Sequence, residues 1–180
     1  MRKYVYIAFI LLLVLCGCEM NLNNTPTKQA EIFLGKYQTL HKDVLDDLNR
    51  VVAEDELFNS DSREEYRSIM KKHYQDLEYE IKEEKIDGDN ATVIVQIEVN
   101  DYTKIQDKIN SALLDDNTLF NDEDGNYDYD KYLKYRLSLM KNIKDRVQYT
   151  LELKFTKKDK KWVINPLTED EMDKINGIYK

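Results

Sequence analysis

Residues 77–99 read LEYEIKEEKIDGDNATVIVQIEV, and the period of that stretch decides the class of fold. Leu77, Tyr79 and Ile81 alternate with Glu78, Glu80 and Lys82. Asp87-Gly88-Asp89-Asn90 is a cluster of turn formers. Ala91, Val93, Val95, Ile97 and Val99 then alternate with more polar neighbours. Alternation sends successive side chains to opposite faces, so each run is a strand with one buried face, and the Asp-Gly turn folds the two into a hairpin.

On both sides of this hairpin the period changes to that of a helix. Upstream, Ala30, Phe33, Leu34, Tyr37, Leu40, Val44, Leu45, Leu48 and Val51 predict one long helix starting near Pro26-Thr27. Asn59-Ser60-Asp61-Ser62 supplies turn and cap residues, and Ser62 with Glu65 has the form of a capping box. The second helix carries Tyr66, Ile69, Met70, His73 and Leu77 on its inner stripe. Downstream, Asp101 to Asp116 is helical through Tyr102, Ile105, Ile109, Ala112 and Leu113. After an acidic loop over 121–130, a further helix places Tyr132, Tyr135, Leu139, Ile143 and Val147 inward. Tyr149, Leu151, Leu153 and Phe155 alternate as strand three. Lys157 to Lys161 turns into strand four, with Trp162 and Ile164 inward. Pro166 stops that strand, and Thr168 to Tyr179 closes the chain with a short helix. Helices, a hairpin, a helical insertion between strands two and three, and a second hairpin make an α+β domain with a sheet of about four strands.

The N-terminus carries an address. Arg2 and Lys3 precede the uncharged run YVYIAFILLLVL, Tyr4 to Leu15. That run is shorter than the ~20 apolar residues of a membrane span and matches a signal-peptide h-region. The following Leu15-Cys16-Gly17-Cys18 resembles the lipobox of bacterial lipoproteins. The resemblance implies diacylglyceryl transfer to the Cys18 thiol and cleavage between Gly17 and Cys18. An ordinary cleaved signal or an uncleaved anchor is the competing reading. On this division 1–17 is a lipoprotein signal peptide, 18–26 a lipidated cysteine and flexible tether, and 27–180 the folded domain. The only cysteines are Cys16 and Cys18, so the domain holds no disulfide and rests on its core.

The long first helix, the Glu83-to-Val95 run and the closing Lys160-to-Asn165 segment (KKWVIN) together resemble the NTF2-like (cystatin-like, cone-shaped) lipoprotein domains of Gram-positive bacteria. The resemblance covers most of the chain after the tether. It implies N-terminal helices packed on a curved antiparallel sheet, with a pocket between them. Enzymes of that fold usually place an Asp, His or Tyr pair in the pocket. It also implies a lipid-anchored protein on the extracellular side of the cell membrane. Because the fold hosts enzymes and binders alike, it licenses neither.

Composition narrows the choice. The chain has 27 basic and 35 acidic residues, a net charge of −8, and the part from Cys18 onward has 25 against 35, or −10. Such acidity disfavours nucleic acid, which rewards Lys/Arg clusters. The expected partners are therefore the membrane, through the N-terminal lipid, and a small ligand or protein. No cofactor is called for. Nucleophile-elbow, P-loop and zinc-helix spacings do not occur. His41 and His73 are the only histidines. Each could be a general base, His73 with Asp76 three residues on, or a packed histidine satisfied by a neighbour.

The acidic loop invites a calcium reading. Setting Gly125 as the loop glycine puts Asp122 and Asp124 on ligand positions, but Phe120 falls first and Lys131 last, so an EF-hand fails. A different site using Asp122, Asp124 and Asp128 competes with a solvated turn in which Asp128 or Asp130 caps the next helix. Tyr127, Tyr129, Tyr132 and Tyr135 fit either a binding surface or inward packing with Leu139, and the second is favoured. Two functions result: a non-catalytic binding module held at the cell surface, which the inventory favours, and a small hydrolase or isomerase using His73 or His41 with a nearby acid.

Overall fold

The computed structural model describes residues 24–54 and 58–180. Six helices and a four-stranded antiparallel sheet make up this α+β fold among the described residues. The order along the chain is α1 (Pro26–Gln38), α2 (Lys42–Glu54), α3 (Ser60–Gln75), β1 (Glu78–Asp87), β2 (Asn90–Asn100), α4 (Lys104–Asp115), α5 (Tyr129–Asn142), β3 (Arg146–Lys158), β4 (Lys161–Ile164) and α6 (Glu169–Asn176). The strands lie side by side in chain order, so α4 and α5 interrupt a simple meander. The expected signal peptide, the expected cleavage and lipidation residues Gly17 and Cys18, and the expected tether up to residue 23 lie outside the described residues.

The hairpin of residues 77–99 forms about the expected turn, with Asp87 facing Asn90 and, beyond a one-residue shift, Ile81 facing Val95. Gly88 (φ 60) precedes Asp89 at negative φ, the type II′ pattern whose twist suits a two-residue hairpin. A bulge between Ile81 and Glu83 breaks the alternation of β1, so its outer half is exposed. The central strands are one-sided. Val93, Val95, Ile97, Val99, Leu151 and Leu153 are completely buried, while Thr92, Gln96, Thr150 and Glu152 face away. Each such side chain removed from water stabilises the fold by ~1.5–3 kcal/mol. The helices cover this face, α1 against β1, β2 and β4, α3 against β2, and α6 against β2 and β3.

The long first helix of the sequence reading is two helices. His41 N–H donates to Lys36 O (2.8 Å) and Leu40 N–H to Tyr37 O (3.0 Å), the crossed bonds of a Schellman motif, with Leu40 left-handed at φ 53. The usual glycine is missing at that position, and the partly buried Leu40 side chain instead packs on the core. The helical period runs through the break because Ala30, Leu34 and Tyr37 of α1 and Val44, Leu48 and Val52 of α2 both face inward.

Two further corrections concern caps and faces. The cap of α3 is Asn59, whose side chain accepts from Ser62 N–H (2.9 Å), three residues before the expected Ser62 box. A reciprocal capping box does occur, between Thr168 and Glu171 on α6. On α5 the buried stripe is Leu133, Leu137 and Met140. Tyr132, Tyr135 and Leu139 flank it, partly buried, with Tyr132 and Tyr135 each 5.5 Å from the Phe120 ring. The helix is apolar on two overlapping stripes, and the sequence reading chose the outer one.

The N-terminal segment is tied down before α1 begins. The Asn24 side-chain amide accepts from Trp162 N–H through Oδ1 and donates to Lys160 O through Nδ2, both at 3.2 Å, clasping the start of β4. Thr25 caps α1 by accepting from Lys28 N–H. The β3–β4 turn puts Asp159 (φ 49) and Lys160 (φ 63) in the left-handed region, the two positive angles of a type I′ turn.

Candidate functional site

The two histidines go to different places. His41 is exposed in the turn between α1 and α2, away from the apolar faces where the single-helix reading put it. Its Nδ1 lies 3.4 Å from the Asp43 carboxylate, and that pair is open to water. The Lys36 ammonium, and secondarily His41, hold the Asp43 carboxyl below the usual carboxylate range.

His73 is completely buried on α3. Its Nε2 is 2.8 Å from Ile175 O, the Tyr102 ring stacks at 5.0 Å, and the Tyr74 ring meets it edge-on. Burial pushes the imidazole down to about 4, against a smaller upward pull from the Ile175 carbonyl. The ring is therefore neutral near pH 7, with Nε2–H donating to Ile175 O and Nδ1 left with no partner among the described residues. Asp76, the expected orienting acid, is exposed and 3.5 Å from Lys72. The sequence reading paired His73 with a side chain three residues away, whereas the fold gives it a carbonyl 102 residues away.

Gly177 explains how that carbonyl arrives. At φ 71 it ends α6 in the left-handed conformation, and its own carbonyl accepts from Tyr102 N–H at 2.8 Å. A Cβ there would sit 2.1 Å from Asn100 O and 3.1 Å from His73 Cε1. Only glycine allows the C-terminal turn to lie against the end of β2 and seal the histidine in.

The acidic loop is organised by its own backbone. Asp122 Oδ1 accepts from Asp124 N–H (2.9 Å) and Asn126 N–H (2.8 Å), bonds that lower its carboxyl. Asp128 caps α5 through Lys131 N–H (3.1 Å), and Asp130 accepts from the Asn59 amide. Asp122, Asp124 and Asp128 are not brought together, and no group of three acids, histidines or cysteines placed to hold a metal occurs among the described residues.

The space between sheet and helices where the cone pocket was expected is filled by the buried side chains of β2 and β3. Open clefts lie instead among the helices. One, of ≈ 340 Å³, sits where α3, the end of α5 and the Asn100–Arg146 end of the sheet meet. Its floor is Ile69, Tyr102, Met140 and Ile143. Ser68 and Lys72 of α3 reach it because they share a helical face with Glu65 and Asp76. Lys141 in the last turn of α5, Lys144 on the chain leaving it and Arg146 at the start of β3 complete the lining.

Arg146 is held as a corner post by Asp76 O (3.1 Å), Glu98 O (3.0 Å) and the Glu98 carboxylate (3.3 Å). Lys141 stands 3.8 Å from Glu65, and Lys144 has no ion-pair partner among the described residues. A second cleft of ≈ 280 Å³ is lined by Tyr66, Tyr74, Met70 and Met172, and it shares Tyr102 and Met140 with the first as a common wall. His73 lines neither cleft.

Of the cleft residues only Asp76 was a candidate site residue in the sequence, and there as an orienting acid for His73. Lys141 and Lys144 lie at and just beyond the end of a helix, where a cation is an ordinary dipole partner. Only the approach of α3 to α5 turns them into a rim.

No helix among the described residues is long and apolar enough to cross a membrane. No protein-family model matches the chain, and no curated protein does. Among solved structures, the chain is similar to the crystal structure of a lipoprotein candidate (ycdA) from Bacillus subtilis, at 16% identity and a TM-score of 0.45. The match covers 84% of this chain and 47% of that one, so the chain spans about half of that protein's length.

Proposed function

We propose that this protein is a bacterial surface lipoprotein, anchored through lipid on Cys18 and facing the extracellular side of a Gram-positive membrane. Its domain is an NTF2-like sheet-and-helix unit with α4 and α5 as a helical insertion, and it binds a ligand or partner without turning it over. The Arg2-to-Cys18 sequence supports the anchor. The observation that carries the binding reading is the state of His73: buried, neutral near pH 7, hydrogen-bonded to a carbonyl and outside both clefts. A general base has to come within ~2.6–3.2 Å of the proton it takes. His73 is sealed away from any substrate in the clefts, and His41 sits on an open surface.

Two measurements test this reading. Fatty-acid labelling should mark the wild type and not Cys18→Ala, and undiminished label on the variant refutes the anchor. Screening with ester, lactone and peptide substrates should show no turnover. Turnover that disappears in His73→Ala or His41→Ala, with circular dichroism unchanged, converts the binding module into an enzyme.

A further inference from the structure

We infer that the second cleft, the one of ≈ 280 Å³ walled by α2, α3, α5 and α6, takes a small uncharged molecule built on a ring. This rests on the binding-module reading and names its ligand class. The observation that carries it is where the methionines go. After Met20 the chain has three, Met70 on α3, Met140 on α5 and Met172 on α6, and all three line this cleft. Three separate helices thus bring one thioether each to the same space. Methionine is unbranched and polarisable, so it reshapes around different guests and lies well against aromatic rings.

The tyrosines supply the opposite property. Tyr102 stacks on His73, Tyr74 meets Tyr37 edge-on at 5.2 Å, and Tyr66 lies 5.1 Å from Phe58. Each of these cleft tyrosines is held by a ring that does not itself line the cleft. Fixed aromatic walls facing adaptable thioethers suit a ring-shaped guest. The mouth is apolar too. Val51, 51% exposed, and Ile178, 46% exposed, are large apolar side chains that the fold leaves in water, and both line this cleft. A guest seated there removes that surface from water. The volume lies just under the ~300–1,000 Å³ of most ligand pockets, which favours a compact body over a long chain.

The charges argue against an ion. Those lining the cleft are Asp47, Arg50 and Arg136, all on exposed residues at its rim. Arg50 is held between Asp47 (3.4 Å) and Glu54 (3.5 Å). With Glu54 counted, two guanidiniums meet two carboxylates, and the C-terminal ends of α2 and α6 each add about half a negative charge. An anion therefore meets no positive excess. A cation would have to leave water for a floor of Leu48, Ile105 and methionine, which offers it no counter-charge. One neutral polar handle remains. Asn176 accepts from Tyr74 O–H through Oδ1 (2.9 Å), and its amide nitrogen, with no partner among the described residues, can donate to a carbonyl or ether oxygen of the guest.

Methyl NMR of the full acylated protein in phospholipid nanodiscs, isotope-labelled at the methionine methyls, tests the assignment, with empty discs correcting for probe taken up by lipid. The probes are acetophenone, benzoate, benzylammonium and phenyl acetate. Acetophenone should shift the Met70, Met140 and Met172 methyls together and saturably, at least about tenfold more tightly than benzoate or benzylammonium. The double variant Val51→Lys/Ile178→Lys, which puts ammoniums at the mouth, should weaken acetophenone by at least about tenfold. Leu114→Lys, on an exposed residue of α4 outside the cleft, should not. Either ion binding as tightly as acetophenone, or an unchanged double variant, overturns the site. Failure of acetophenone to shift the methyls of a protein with native circular dichroism overturns the ligand class and leaves the binding-module reading standing. Shifts that appear on concentrating the protein without probe, and disappear in the double variant, give the cleft to a second copy of the chain and overturn the small-molecule assignment. Release of phenol from phenyl acetate, lost in the double variant, overturns the non-catalytic reading instead.

Discussion

Replacing Gly177 by alanine should unseat the C-terminal turn, and the size of the effect can be built from its parts. The backbone at φ 71 costs a residue with a Cβ ~1–2 kcal/mol relative to glycine. The added methyl would lie 2.1 Å from Asn100 O, where a carbon–oxygen contact needs roughly 3.3 Å, so the turn must retreat by about 1 Å. That retreat stretches the Gly177 O bond to Tyr102 N–H and withdraws Ile175 O from His73. A buried imidazole with neither nitrogen partnered costs a further ~1–3 kcal/mol. The sum, ~2–5 kcal/mol, is a large share of a domain's stability of ~5–15 kcal/mol.

Urea unfolding followed by circular dichroism reads it directly. With a slope of ~1–3 kcal/mol per molar for a small domain, the midpoint should fall by ~2 M. Gly88→Ala is the control. Gly88 has nearly the same angle (φ 60) with nothing within 4 Å, so only the backbone cost of ~1–2 kcal/mol applies. Equal midpoints for the two variants would refute the close approach of Gly177 to β2 and the sealing of His73 with it.

Trp162 is buried on β4, so Trp162→Ala should cost ~3–5 kcal/mol, visible as a lower urea midpoint. His73 titrates from its ordinary 6.5 down to about 4 on folding, so the unfolded chain binds more protons between those values, and stability should fall as pH drops through that window. The loss between pH 6.5 and 5 should reach roughly 2 kcal/mol. It should vanish in His73→Gln, and the same loss in that variant would assign it to other groups. Lys160→Gly should raise stability by ~0.5–1 kcal/mol by relieving a left-handed turn residue, and a thermal melt that does not rise would place the strain elsewhere.

What the sequence made legible was whatever repeats with a period. The hairpin of residues 77–99 was legible from its alternation and its Asp-Gly turn, but the bulge between Ile81 and Glu83, which shifts the turn's register by one so that Ile81 meets Val95 on the buried face, was not. The break after α1 stayed hidden because Leu40, not glycine, takes the left-handed position, and its apolar side chain continues the helical stripe. The face of α5 was misjudged by one residue because Tyr132, Tyr135 and Leu139 form a stripe as regular as Leu133, Leu137 and Met140. His73 was located on the right face, but its partner is a backbone carbonyl, which every residue possesses and no pattern advertises. The clefts depend on how α3 approaches α5, a long-range property that no local period encodes.

The Asn24 clasp on β4 also sets how the molecule stands. Five residues, or six chain steps, separate Cys18 from Asn24, a reach of at most about 20 Å for a fully extended chain. With lipid on Cys18, the β3–β4 turn is thereby kept close to the bilayer. β2 starts beside that turn, where Asn90 faces Thr156, and ends where Asn100 faces Arg146, ten residues or about 33 Å further on. The α3–α5 cleft opens at that far end. A tether that joined the domain at an arbitrary point would let it tumble and offer its cleft to the lipid as often as to the medium. On the proposed anchor, the sheet clasped at the opposite pole becomes a post, and its cleft faces away from the lipid.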